Sequence, residues 1–186
     1  MSIPADPPAD RGSLEAARAG DLAAFDAVMR QYERLVLVTA LRLLGSMHDA
    51  QDISQEVFLK LYRNLGKVEP ASITSWLYRV TVNACHDQRR RRRPSAPFEQ
   101  AAMLPATGPD PQQAVTDAER RRILELSLRM LPEKERAALV LRDLEGLSTG
   151  EVAQILGSSE VTVRSQVSKA RVKVKDFVER YFRRRT

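Results

Sequence analysis

The chain has little of several residue types, and each shortage excludes a class of protein. Only one of its 186 residues is a cysteine, Cys85, which excludes an internal disulfide framework and fits a reducing compartment. One cysteine and two histidines are also too few for a closed zinc site. Aromatic residues make up only 5% of the chain, and the β-branched runs 80–82 and 161–163 fall within helical periodicities. Together these features predict an all-α fold.

Long apolar runs are also lacking. No stretch approaches the roughly 20 apolar residues that a membrane-spanning helix needs, and segment 1–12 lacks the apolar core of a signal peptide. We therefore expect no membrane insertion and a cytoplasmic location. Segment 1–12 holds three of the ten prolines and has little to bury, so it is predicted to be a disordered tail.

Charge and proline are the residue properties that the chain has in excess. It carries 30 Lys and Arg against 24 Asp and Glu, a formal charge of +6, which favours a polyanionic partner. Five prolines fall within segment 94–113, which has no apolar period and is predicted to be a mobile linker. The sequence thus predicts two small helical domains, 13–93 and 114–186, joined by this Pro-rich linker.

The first domain shows clear helix boundaries. Asp21 is a plausible N-cap for a helix that ends at Gly45. The next helix carries an apolar stripe and closes on Gly66. The stripe consists of Ile53, Val57, Phe58 and Leu61.

Segment 72–93 is the most informative stretch, because one helix is apolar on one side and strongly cationic at its end. The predicted buried face is formed by Ile73, Trp76, Leu77, Val80 and Ala84. Arg79, Asn83, His86 and Arg90 share another, polar face. Five arginines, 89–93, precede Pro94; one or two would satisfy the helix dipole, so this block favours a phosphate backbone as partner. A solvated helix end or a localisation patch is the alternative.

The second domain shows a helix-turn-helix pattern. A helix with Pro132 in its first turn is predicted to end near Gly146, and a short helix follows, capped by Ser148 and Glu151 and stopped by Gly157. A basic helix then opens at Ser159, packing on a stripe of valine and alanine. Its outward residues include Arg164, Ser165, Ser168 and Lys169. Such residues can reach base edges and phosphates in a major groove, although helical hairpins of this kind also occur without DNA.

Three segments in this order make the chain resemble the bacterial RNA polymerase sigma factors of the extracytoplasmic-function group. They are DAQDISQEVFLKLYRNL (49–65), SWLYRVTVNACHDQRRRR (75–92), and LPEKERAALVLRDLEGLSTGEVAQILGSSEVTVRSQVSKAR (131–171). The resemblance implies sigma region 2 in the first domain and sigma region 4 in the second. It implies docking on core RNA polymerase, at the β′ coiled coil and the β flap, and binding of promoter DNA as duplex and as non-template single strand. An anti-sigma factor is a further implied partner, and no cofactor, metal or catalytic residue is implied.

The resemblance assigns the polymerase-docking face to the helix of segment 49–65. The implied residues are Asp49, Asp52, Gln55 and Glu56. Residues 49, 52 and 56 share a helix face, and three carboxylates suit a basic partner groove. An acidic metal site is the competing interpretation, but carboxylates at this spacing are usually solvated.

The resemblance implies that loop 67–72 captures a flipped base of the minus-ten element. The implied minus-ten residues are Lys67, Ser72, Arg79, Asn83, His86, Arg89 and Arg90. Asn83 offers a donor and an acceptor, and the arginines neutralise phosphate. Trp76 is predicted to be core, whereas for Tyr78 both core and base stacking stay open.

Recognition of the minus-thirty-five element is assigned to the start of the basic helix. The implied residues are Thr162, Arg164, Ser165, Ser168, Lys169 and Arg171. Two positions depart from the family pattern: Val161 stands where a glycine is common, and Gln166 replaces a cation. Both make the preferred promoter sequence harder to transfer from relatives.

The predicted function is that of a sigma factor that directs promoter-specific initiation, in a stress or signal response. A free-standing helix-turn-helix regulator would explain residues 148–171 but would leave segments 49–65 and 75–92 as coincidence. A nuclease using Asp49, Asp52 and Glu56 is the rival from another class, and the sequence offers it no phosphate loop, metal set or ordered nucleophile.

Overall fold

The computed structural model describes residues 11–92 and 117–183. All regular secondary structure in these two ranges is helical, as predicted. The α-helices are α1 (Arg11–Arg18), α2 (Leu22–Leu44), α3 (Met47–Asn64), α4 (Ile73–Arg92), α5 (Asp117–Arg129), α6 (Glu133–Leu139), α7 (Thr149–Leu156) and α8 (Glu160–Arg183). Two 3₁₀ turns, Leu65–Lys67 and Pro70–Ser72, connect α3 to α4. The fold-class prediction is confirmed.

The first domain consists of α1–α4, and its predicted boundaries follow local chemistry. The Asp21 carboxylate accepts hydrogen bonds from the amides of residues 23 and 24 at 2.9 and 3.1 Å, as an N-cap does. Gly45 ends α2 with φ +74°, a left-handed conformation that favours glycine. Helix α3 ends at Asn64, two residues before the predicted stop at Gly66, because the chain tightens there into a 3₁₀ turn.

Helix α1 corrects the predicted boundary of the N-terminal tail. Arg11 and Gly12 already belong to the helix, which buries Leu14 and Ala17 against the first domain. Arg18 then donates hydrogen bonds to the carbonyls of Leu65 and Val68, so the helix is joined to the end of α3. Residues 1–10 of the predicted tail, and all of the predicted linker 94–113, lie outside the described residues.

The second domain consists of α5–α8. The capping box at the start of α7 is present as predicted: Ser148 accepts from the Glu151 amide, and the Glu151 carboxylate accepts from the Ser148 amide. Gly157, with φ +60°, makes the tight turn between α7 and α8. The helix predicted to end near Gly146 begins at Glu133, after Pro132 as its N-cap residue, and stays helical to Leu144. Its last part, Val140–Leu144, widens into a π-helical turn.

The two domains pack against each other, which the sequence pattern did not indicate. Helix α4 contacts α7, and α2 contacts α5 and α6. Arg136 of α6 is only 2% exposed and donates to the carbonyls of Leu43, Arg129 and Leu131. It therefore joins the C-terminal ends of α2 and α5, where the helix dipoles favour a cation.

Within residues 11–92 and 117–183, none of the helices is long and apolar enough to cross a membrane. The same residues contain no group of three His, Cys, Asp or Glu side chains that could hold a metal ion.

Candidate nucleic-acid and polymerase interfaces

Helices α7 and α8 form the helix-turn-helix, and the start of α8 is its exposed basic surface. Val163, Val167 and Ala170 are buried, so the opposite side of α8 is left to solvent. The residues exposed on that side include the predicted Arg164, Ser165, Ser168 and Lys169. The structure thus brings these four predicted minus-thirty-five residues together on one surface.

Arg164 has a weak competitor for DNA. Its guanidinium lies 3.1 Å from the Glu160 carboxylate, one turn earlier, and both side chains are more than half exposed. An exposed pair of this kind contributes little, so a phosphate or base edge can replace Glu160. Arg164 therefore stays a strong candidate for a DNA contact.

The other two predicted residues of this set have partners inside the domain. Arg171 makes two hydrogen bonds, of 2.7 and 2.8 Å, to the Asp143 carboxylate in the π-helical turn. These bonds raise the pKa of Arg171 above its usual value. The Thr162 hydroxyl lies 2.9 Å from the Ser159 hydroxyl, which also accepts from the Thr162 amide. Arg171 therefore connects α8 to the preceding turn, and Thr162 takes part in capping α8.

The two departures from the family pattern lie in different surroundings. Val161 is 69% exposed in the first turn of α8, so it adds an apolar surface where a glycine is common. Gln166 is half-buried, and its side-chain oxygen is shielded from solvent. Only Val161 is therefore placed to meet a partner directly.

The predicted minus-ten surface is split into an exposed part and an engaged part. Arg79 and Asn83 are exposed on α4, and Lys67 and Ser72 are exposed in the loop before it. The Ser72 hydroxyl donates to the Glu69 carbonyl at 3.1 Å, which tightens the second 3₁₀ turn. This exposed part keeps the donors and the amide that a single strand would need.

The engaged part follows one turn later on α4. His86 is half-buried and lies 3.7 Å from the Glu133 carboxylate of the second domain. Arg89 donates to the Leu43 carbonyl at 3.4 Å. Arg90 follows it but is 81% exposed, and its 3.1 Å pair with Asp87 can be replaced by phosphate as that of Arg164 can. His86 is thus placed at the contact between the domains, whereas Arg89 contacts α2 of its own domain.

The structure decides the open question on Tyr78 and modifies the prediction for Trp76. Tyr78 is 5% exposed, and its hydroxyl donates to the Glu145 carboxylate at 3.1 Å, so it is not a free stacking platform. Burial, followed by the charge of Glu145, raises the pKa of Tyr78 well above its ordinary value. Trp76 packs against the core but is only half-buried. Helix α4 is buried on a second side because the second domain covers it.

The predicted docking face on α3 needs one correction. Asp52 and Gln55 are exposed and Glu56 is half-exposed, 2.6 Å from Lys60. Asp49, by contrast, is only 6% exposed. It lies one turn before Ile53 on the buried stripe of α3, so its predicted place on the exposed face was wrong.

Two surfaces were missed by the sequence reasoning. Leu59 and Tyr62 are 56% and 48% exposed, and Leu59 lies four residues after Gln55 and Tyr62 three residues after Leu59, which places them on the same face of α3. That spacing was a readable signal. The second surface is an apolar groove between α5 and α8, for which the sequence offered no comparable pattern. Its apolar lining consists of Ile123, Leu124, Val174, Val178 and Phe182, with Arg120 alongside.

Comparisons with known proteins agree with both halves of this arrangement. The family Sigma-70 region 2 matches residues 28–94, and the family Sigma-70, region 4 matches residues 121–174. The ECF RNA polymerase sigma factor SigE of Mycolicibacterium smegmatis is 36% identical over 184 residues, which cover 96% of this chain and 71% of that protein. The ECF RNA polymerase sigma-E factor of Escherichia coli is 32% identical over 187 residues, covering 94% of this chain and 97% of that protein.

Solved structures show the same fold. The sigma factor RpoE of Bartonella quintana, determined in complex with the anti-sigma factor NepR, has a TM-score of 0.67 and 23% identity. The match covers 85% of this chain and 98% of that one. Both sigma regions occur here in order, and relatives more than 30% identical extend over nearly the whole chain, so an isolated helix-turn-helix regulator does not account for it. The chain belongs to the extracytoplasmic-function group of RNA polymerase sigma factors, which direct transcription initiation.

Proposed function

We propose that this sigma factor divides its work between four exposed surfaces: on α3, in the groove between α5 and α8, on α4 and at the start of α8. The observation that carries the proposal is that each surface exposes the residue types its partner requires. Carboxylate and amide groups lie on α3, an amide beside an arginine on α4, and cations with hydroxyls on α8. The chain itself supplies no catalytic group in this mechanism; it acts in the cytoplasm by positioning polymerase on DNA.

The surface on α3 docks on the β′ coiled coil of core polymerase. Asp52 and Gln55 provide the polar contacts, and the adjacent Leu59 and Tyr62 add apolar area beside them. An exposed apolar pair rimmed by polar groups is the usual composition of a protein interface. The pair supports docking more strongly than the carboxylates alone.

The groove between α5 and α8 takes the β flap. Its lining is apolar, which suits the apolar face of a partner helix. It uses the C-terminal half of α8, whereas the minus-thirty-five residues occupy the N-terminal half. One helix can therefore hold polymerase and DNA at the same time.

The two remaining surfaces bind the promoter in different forms. Arg164, Ser165, Ser168 and Lys169 enter the major groove of the minus-thirty-five element as duplex. Asn83 and Arg79, with loop 67–72, hold the non-template strand of the minus-ten element after it separates. An anti-sigma factor would silence the protein by covering these surfaces; the Bartonella sigma factor forms a complex with the anti-sigma factor NepR.

Titration of core polymerase tests this proposal. We expect the Asp52→Ala, Gln55→Ala double variant to lose most promoter-specific transcription through weaker binding to core, while its thermal unfolding stays nearly unchanged. Exposed polar substitutions usually change stability by no more than about 0.5 kcal/mol. The matched control is Asp26→Ala with Glu33→Ala, two exposed acidic residues of α2.

The expected result is competition for core polymerase by the wild type and the control but not by the double variant. If the double variant competes as well as the wild type, the α3 assignment is wrong. If the wild-type protein footprints a promoter tightly without polymerase, the division of work between polymerase docking and DNA binding is wrong.

A further inference from the structure

Glu145 lies between the two domains, in a pocket of hydrogen-bond donors that belongs to the first domain. Its side chain is only 5% exposed. Arg42 donates to its carboxylate at 2.7 Å, the Thr39 hydroxyl at 3.2 Å, and the Tyr78 hydroxyl at 3.1 Å. These three interactions form the Glu145 contact. Every donor in it comes from α2 or α4, and the acceptor comes from the second domain.

A second set of contacts reinforces the same closure. Arg129 and Arg136 of the second domain donate to the carbonyls of Gly45 and Leu43, at the end of α2. Gly45 also makes room for this approach, because a Cβ on it would lie 2.7 Å from the Arg129 side chain. The interface between the domains thus combines apolar packing with charged groups whose partners lie across it.

Charged groups of this kind make a contact that can be opened. Arg42 is 22% exposed, so separation returns it and Glu145 to water instead of stranding them in a core. The apolar core is continuous from one domain to the other, so separation also exposes apolar side chains and needs the binding energy of a partner. The polar contact therefore favours a closed state that a partner can displace.

The closed state cannot reach both promoter elements. The minus-ten and minus-thirty-five elements are named for positions that differ by about 25 base pairs, or roughly 85 Å of duplex at 3.4 Å per base pair. Asn83 and Arg164 are connected by a short path, through Tyr78 to Glu145 and then through Asp143 to Arg171. Even stretched out, this path measures roughly 50 Å by helix rise and side-chain length.

We propose that the Glu145 contact is a latch that holds the free sigma factor closed, and that docking on polymerase must release it before both promoter elements are engaged. The closed state also places His86 of the predicted minus-ten surface against Glu133 of the second domain. The functional consequence rests on the proposed function, whereas the closed state itself is measured without polymerase.

Energy transfer between two dyes on the full-length chain tests the latch. Dyes are attached to cysteines that replace Arg30 of α2 and Lys175 of α8, both exposed. The native Cys85 is fully buried, and burial raises the pKa of its thiol to about 12, so it reacts slowly. We expect Glu145→Ala to lower the transfer efficiency, because breaking a buried charge pair shifts the open-to-closed ratio by roughly 100-fold.

The matched control is Glu135→Gln, which removes a carboxylate that pairs with Lys173 at 2.8 Å within the second domain. It should leave the transfer efficiency at the wild-type value. Arg42→Ala provides the same test from the first domain and should lower transfer as Glu145→Ala does. Equal transfer in the wild type, Glu145→Ala and Arg42→Ala would overturn the proposal.

A core-polymerase titration then tests the consequence. If closure competes with docking, Glu145→Ala should bind core more tightly than the wild type, because a larger fraction of molecules is competent. Opened domains with unchanged affinity for core would overturn the regulatory role. Failure of both proteins to bind core would instead contradict the proposed function, so the two failures are distinguishable.

Discussion

Helices α4 and α8 both carry cations that were predicted to bind DNA, yet their surroundings give these cations different tasks. At the start of α8, Arg164 and Lys169 are exposed, and the packed stripe lies on the opposite side. On α4, Asn83 is exposed, but His86 and Arg89 one turn later contact the second domain and the end of α2. A cationic segment is therefore not one uniform DNA-binding surface, and its neighbours decide which positions are available.

Arg136→Met should have the largest effect, because it tests a cation that is buried between helices and cannot reach DNA. Arg136 is buried, burial lowers its pKa to about 10, and three carbonyls would lose their donor. We expect the free energy of unfolding to fall by about 3 kcal/mol, measured by denaturant titration. Arg30→Met, at an exposed pair on α2, is the control and should change stability little. A small effect of Arg136→Met would show that the buried arginine is replaceable.

Arg164→Ala should have the next largest effect, on binding and not on stability. We expect it to weaken polymerase binding to duplex promoter DNA by about 1–3 kcal/mol, if Arg164 contacts a base edge. A promoter that is already opened as a mismatched bubble should not restore this loss, since the upstream element is read as duplex. Arg171→Ala is the informative comparison: with its two bonds to Asp143, it should lower the melting temperature before it changes DNA preference. Identical defects would remove the distinction between the two arginines.

Asn83→Ala should have a smaller effect that is confined to the opened strand. Binding of holoenzyme to single-stranded minus-ten DNA should weaken by roughly 1 kcal/mol, the scale of one hydrogen bond, and the preference at one base should relax. Upstream duplex binding should stay intact. Arg89→Ala sharpens the comparison, because Arg89 contacts the Leu43 carbonyl within the first domain and its loss should also lower the stability of that domain. An Asn83→Ala protein with normal strand binding would contradict the minus-ten assignment.

Glu151→Gln should have the smallest effect, visible only as a change in pH dependence. Hydrogen bonds from Ser148 lower the pKa of Glu151 in the folded protein below its ordinary value of 4.5. The carboxylate therefore stabilises the fold above pH 4.5, and this contribution is lost as the pH falls through the lower, folded-state pKa. Glu151 is exposed, so the contribution is a few tenths of a kcal/mol. The amide oxygen of Gln can still accept from Ser148, so the variant should flatten this part of the acid unfolding curve without a loss at pH 7. An unchanged curve would mean that the capping box does not titrate measurably.

The features that could be predicted from the sequence are those decided by residues a few positions apart. Asp21, Gly45, Ser148 and Gly157 each cap or end a helix as predicted, because a cap depends on its own turn. Asp49 shows the limit of assigning helix faces from spacing. Its position fits both the exposed face of Asp52 and the buried face of Ile53 and Val57, and only the packing of the helix shows that it belongs to the buried one.

The contact between the domains could not be predicted, because it joins residues far apart in the chain. Tyr78 and Glu145 carry no local pattern that connects them, and the burial of Tyr78 depends on the second domain. The apolar stripe of α4 was therefore recognised, whereas its second buried side was not.

The direction in which Glu145 points depends on the number of residues in the π-helical turn at Val140–Leu144. The amide of Glu145 donates to the carbonyl of Val140, five residues back, at 2.9 Å, so the turn holds one residue more than a turn of α-helix would. Removing one residue from a helical segment rotates everything after it by about 100° relative to everything before. A one-residue deletion here would keep the composition nearly unchanged and every side chain named in the interface, yet would turn Glu145 away from Arg42. Among relatives of this protein, the length of this single turn should therefore separate chains that close in this way from chains that do not.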